Sequence, residues 1–166
     1  MFTHVNDFLK IWKDEADSTI KVLKTLTDSS LSQKVYAEGR TLGFIAWHIT
    51  ITIGEMSALI GLKVDCPTED TPEAEDAGGI VKAYETAAKS LFEEIERGMG
   101  DDDLEKEDDM YGESWKRGYT LYVLVSHQTH HRGQMTVLMR QAGLPVPGVC
   151  GPSKEEWSAF GVPAAK

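Results

Sequence analysis

The sequence predicts an all-α four-helix bundle with one short extra helix near its C-terminal end. Three observations carry this. Four long segments repeat apolar residues at the 3.6-residue helical period, the stretches between them are rich in Pro, Gly and carboxylates, and no segment alternates at the strand period of two. A chain of 166 residues fits one hydrophobic core without disulfides, so residues 1–166 are expected to form a single domain.

In the first segment, Phe8, Ile11, Trp12, Thr19, Val22, Leu23 and Leu26 fall on one face, predicting a helix over residues 4–27 that stops at Asp28-Ser29-Ser30. The second begins near Thr41, carries Phe44, Ile45, His48, Thr52, Met56 and Leu59 on one side, and ends at a Gly61 cap. Its β-branched run, residues 49–53, tempts a strand reading, but its length and spacing favour a helix. Residues 62–78 hold Pro67, Pro72 and six carboxylates and read as a loop. The third helix is expected over residues 80–97, through Val81, Tyr84, Ala88, Leu91, Phe92 and Ile95. An acidic loop over 101–109 leads to the longest pattern, residues 116–142, stopped by Gly143 and Pro145. Residues 153–160 then predict the short extra helix, capped by Ser153.

Acidic residues outnumber basic ones 27 to 17, for a formal net charge of -10. That balance repels phosphate backbones and anionic membrane surfaces, which argues against a nucleic-acid or membrane partner. No apolar stretch reads as long enough to span a bilayer, and residues 1–10 lack the features of a secretory signal. Cys66 and Cys150 are far apart and in no metal-ligand spacing. A reducing compartment, the cytoplasm, is expected.

His127 and His131 lie four apart on the fourth helix, so their side chains project about 40° apart, able to converge on one ion. On a helical wheel both fall among Leu124, Met135, Leu138 and Ala142, and His48 falls within the stripe of Phe44, Ile45, Thr52 and Leu59. Three inward imidazoles without partners would be costly. One divalent ion would satisfy all three, and three separately hydrogen-bonded core histidines are the other reading. His130 points to the flank of the stripe, and His4 lies in the fraying first turn and receives no role.

The run His127-Gln128-Thr129-His130-His131-Arg132-Gly133-Gln134, followed by Gly143-Leu144-Pro145-Val146-Pro147-Gly148 and Gly151-Pro152-Ser153, resembles the DinB family of bundle proteins. Trp47-His48-Ile49 stands where that family carries its first histidine, so the resemblance runs the length of the chain. It implies a bundle of unusual connectivity, often dimeric, with one divalent ion (nickel, zinc, iron or manganese) on His48, His127 and His131. It also implies chemistry on a small-molecule substrate, with a low-molecular-weight thiol as a possible cosubstrate: thiol-dependent transfer, isomerisation or hydrolysis. Cys150 departs from the family pattern, standing near a place where an aromatic residue is expected.

Three neutral imidazoles leave an ion its full charge and an open position, which suits a metal-dependent transferase or hydrolase. A non-catalytic sensor or carrier, and a metal-free interaction module, are the other readings of the same residues. Glu55, two turns from His48, and Gln134, two turns from His127, are candidates to hydrogen-bond a ligand or substrate beside the ion. Glu55 could instead pair with Arg132. On the back of the fourth helix, Tyr122, Val125, Thr129, Gly133 and Thr136 form a face poorly suited to water, and Gly133 suggests close approach by another backbone. A homodimer packed there is expected, with cover by the C-terminal segment as the alternative.

Overall fold

The structure, a computed structural model, describes residues 1–157 and 161. Four helices dominate it: α1 (Val5–Leu23), α2 (Leu42–Leu59), α3 (Ala77–Gly98) and α4 (Arg117–Gln141). Each start has a local cause. Thr41 Oγ1 accepts from Phe44 N at 3.0 Å and opens α2 where the sequence predicts. Asp76 Oδ1 accepts from Gly79 N at 2.6 Å and opens α3 at Ala77, three residues before the expected Ile80. Gly78 and Gly79 hide that start from a propensity reading, and a Cβ on Gly79 would lie a tight 3.0 Å from that of Ala74, so a side chain there would press on the preceding loop.

The first helix is shorter than expected. Thr25 Oγ1 donates to the Val22 carbonyl, and Thr27 and Ser30 exchange reciprocal bonds that begin a 3-10 turn, Asp28–Ser30. These hydroxyls compete with helical bonds and end α1 at Leu23, although Leu26 stays buried.

The order of packing is not that of a simple up-and-down bundle. α1 packs against α3 and α4, and α2 packs against the same two, so α1 and α2 sit diagonally, as do α3 and α4. The α1–α2 and α3–α4 connections therefore cross the bundle's ends, and both are long. The second contains a correction to the acidic loop expected over residues 101–109. A 3-10 turn, Asp101–Glu105, is followed by a hairpin, β1 (Glu107–Met110) paired antiparallel with β2 (Glu113–Lys116). Its two-residue turn places Tyr111 at φ 59° and Gly112 at φ 86°, the doubly left-handed form that matches strand twist. Asp and Glu are poor strand formers, which conceals the strands, but Met110 is fully buried and Arg117 holds Asp108 through two bonds of 2.7 and 3.0 Å.

Another expectation needs correcting. α2 does have the length and mean hydropathy, 1.3 over 18 residues, of a membrane-crossing helix. It packs against α3 and α4, and 61% of that stretch is buried in the fold, as in a core helix of a folded bundle. At the other end of the chain, Gly143 at φ +74° closes α4, and Val146 is buried. Of the short helix expected over residues 153–160, the described part is a turn over residues 154–156 that passes into 3-10 conformation at Trp157, and residues 158–160 lie outside the described residues.

Candidate metal centre

His48 comes from the middle of α2, and His127 and His131 from consecutive turns of its neighbour α4. Their ring centroids lie 5.0 Å (48–127), 4.8 Å (48–131) and 4.4 Å (127–131) apart. One ligand nitrogen from each lies within 4.8 Å of the other two. His48 Nε2 and His127 Nε2 are 3.2 Å apart. Two nitrogens about 2.1 Å from one ion would lie roughly 3.0–3.4 Å apart, so this pair is already at coordination spacing and the third needs only a small closing movement. The donor set fits a divalent first-row ion.

The surroundings keep the rings neutral, the form that ligates. Burial pushes the His127 pKa down to about 4, with the other histidines adding to the effect. Burial, then His131 and Arg40, lowers His48. Burial also lowers His131, opposed by its bond to Gln134 and assisted by His130 and Arg40.

Gln134 joins the site. His131 Nδ1 donates to Gln134 Oε1 at 2.8 Å, which leaves His131 Nε2 as a lone pair for the shared point. The amide end of Gln134 donates to the exposed His130 Nε2 at 3.1 Å. Glu55 is engaged elsewhere: its carboxylate accepts from Tyr111 Oη at 3.1 Å, and it is not among the groups that converge with the histidines. Nor does it pair with Arg132, whose guanidinium is buried against the Glu15 carboxylate of α1. His127 Nδ1 is buried and has no hydrogen-bond partner among the described residues.

Sequence reasoning missed the polar chain behind the site. Each histidine is followed by a residue of this chain: Ile49, Gln128 and Arg132. Gln128, fully buried, donates from Nε2 to the Ile49 carbonyl at 2.8 Å and accepts from Tyr84 Oη at 3.0 Å. Arg132 donates to Thr19 Oγ1 at 3.1 Å as well as to Glu15, and the Thr19 hydroxyl donates to the Glu15 carbonyl at 3.0 Å. The chain thus touches all four helices and sets the register of α4 against α2. Gln128 was legible only as a polar residue on an otherwise apolar face.

Two other sequence landmarks lie away from the trio. His4 Nδ1 meets Asp101 Oδ2 at 2.9 Å, while Asp101 Oδ1 accepts from Val5 N, clasping the start of α1. Cys66 donates to the Thr50 carbonyl, and burial raises its thiol to about 11; Cys150 is exposed.

Comparison with known proteins agrees with this geometry. The family profile described as the DinB family matches residues 1–164. The uncharacterized protein YrdA of Bacillus subtilis (strain 168) is 43% identical over 166 residues, covering 100% of this chain and 99% of the relative. A crystal structure of a DinB-like protein from Bacillus cereus ATCC 10987 superposes with a TM-score of 0.86 at 42% identity, covering 90% of this chain and 99% of that one. A more distant DinB-like protein, YjoA of Bacillus subtilis, shares the fold at 15% identity, with a TM-score of 0.66 over 84% of this chain and 96% of its own. With diagonal connectivity, three convergent histidines and a full-length profile match in agreement, the chain belongs to the DinB family.

Proposed function

We propose that this chain is a divalent-metal-dependent enzyme acting on a small molecule by thiol-dependent transfer or by hydrolysis. His48, His127 and His131 would hold one ion of nickel, zinc, iron or manganese. The observation that carries the reading is the convergence of three neutral-biased imidazoles beside a cleft of about 490 Å³ that His131 and Gln134 help to line. When bound, such an ion brings the pKa of a coordinated thiol or water toward neutrality. The chain's own residues supply the rest: burial holds the rings unprotonated, Gln134 orients His131, and the Gln128 chain holds α2 against α4. Both cysteines are free thiols, which supports a reducing, cytoplasmic setting.

A second reading, a non-catalytic metal or ligand carrier, draws on Glu55. With that carboxylate bonded to Tyr111, no carboxylate stands among the converging groups of the described residues to act as a general base. Elemental analysis of untagged protein, with and without His131→Ala, tests the metal. Near one ion per chain, lost in the variant, is the expected result, and its absence in both would leave a metal-free interaction module. Turnover in a screen of thiols with electrophiles and of simple esters, absent after metal stripping, then separates the enzyme from the carrier.

A further inference from the structure

The chain has five arginines, and four of them hold carboxylates: Arg97 on Glu94, Arg117 on Asp108, Arg132 on Glu15 and Arg140 on Glu155. Arg40 alone has no carboxylate partner among the described residues. In a chain of net charge -10 with abundant surface acids, that is a specific omission. Arg40 is exposed, and its side-chain contact is with an aromatic ring. Its guanidinium lies 4.8 Å from the centroid of the Phe44 ring, and that ring stacks on His48 at 6.1 Å with an interplanar angle of 11°. One row of π contacts therefore runs from Arg40 to the histidines.

The cleft beside His131 is lined by Arg40 at the same time as by apolar side chains. Val35, Tyr36 and Val137 border it, and these are three of the nine large hydrophobic residues the described chain leaves exposed. An apolar wall, one unpaired planar cation and His131, one of the three candidate ligands, thus border a space of about 490 Å³.

We propose that Arg40 is the anion-recognition residue of this cleft, selecting small molecules with an apolar body and a carboxylate. The guanidinium fork matches a carboxylate through two parallel hydrogen bonds, and the Phe44 ring lies against one side of it. This deepens the metalloenzyme reading and rests on it for the assignment of the bound molecule as substrate. The carboxylate end sits at Arg40, and the rest of the molecule lies along Val137 and Tyr36 toward the histidines.

The test compares hexanoate with 1-hexanol by NMR titration, on the protein as purified and after chelator treatment, for the wild type, Arg40→Gln and Arg40→Lys. Chelation removes any direct ligation of the acid by a metal. The expected result is that the wild type prefers the acid by about five-fold in both states, that Arg40→Gln loses the preference and that Arg40→Lys keeps part of it. Circular dichroism melting and elemental analysis accompany each variant, with unchanged fold and metal content expected. Equal affinity for acid and alcohol in chelated wild type, or an undiminished preference in folded Arg40→Gln, overturns the role of Arg40 and leaves the metal reading standing. A wild type that binds no metal but keeps the preference for the acid overturns the metal reading instead.

Discussion

His131 Nδ1 donates to Gln134 Oε1 across one helical turn at 2.8 Å, so the ring's second nitrogen faces His48 and His127 as a lone pair. Removing that acceptor frees both the tautomer and the ring. Gln134→Leu is expected to weaken zinc binding by about 10- to 100-fold, measured by competition with a chromophoric chelator. Gln134→Glu retains an acceptor and should restore most of the loss. Equal affinity in the Leu variant would show that packing alone orients the ring.

The chain through Gln128 should matter for stability as much as for alignment. Gln128→Leu leaves Tyr84 Oη and the Ile49 carbonyl without their partners, an expected loss of about 2–4 kcal/mol in urea denaturation. Arg132→Met strands the Glu15 carboxylate, whose side chain is only 13% exposed, and should cost about 3–5 kcal/mol. Adding Glu15→Leu to Arg132→Met removes the stranded charge and should recover most of that. A double variant no better than the single one would place the cost in lost packing.

Acid should destabilise the metal-free protein through the histidine cluster. The native pKa of His127 is lowered by burial to about 4 against an ordinary 6.5, so the unfolded chain binds more protons between those values. The contribution is fully present above pH 6.5 and is lost as pH falls toward 4. His48 and His131 are lowered too, and the three titrate as a coupled set. Melting temperature followed from pH 7 to 4 should therefore fall less steeply in His127→Gln. His4 works with the opposite sign: Asp101 raises its pKa, so its small contribution is present below pH 6.5 and fades as pH rises through the folded value.

Gly133 supplies a test of the expected dimer. Apart from the backbone of its own helix, nothing in the described chain lies within 4 Å of where its Cβ would stand, so the close backbone approach expected from the sequence is not made by any other described element. Tyr122, Thr129 and Gly133 remain exposed along that face. If a second copy covers it, light scattering at micromolar concentration should read twice the chain mass, and Gly133→Gln should read one. A monomeric wild type would remove the dimer. In that case Gly133→Ala should simply stabilise the helix by about 1 kcal/mol.

Much of the fold was legible because amphipathic period and caps act locally. Thr41 announced α2, and Gly143 the end of α4, within a residue. What failed was also local in cause. Thr25 and Thr27 drew the backbone out of α1 early, Gly78 and Gly79 masked the start of α3, and the carboxylates of β1 disguised a strand whose pairing partners lie three to nine residues further along the chain.

Of the site, the sequence determined which rings face inward, because a helix fixes the angle between His127 and His131 and the stripe to which His48 belongs. Only the tertiary structure decided that α2 lies beside α4 rather than diagonal to it, that Gln134 rather than Glu55 reaches the histidines, and that Arg40 stands unpaired at the cleft. Periodicity reports each helix's buried side but carries no information about which helix will cover it. That choice rests on contacts between residues far apart in the chain, such as Gln128 with the Ile49 carbonyl and Arg132 with Glu15.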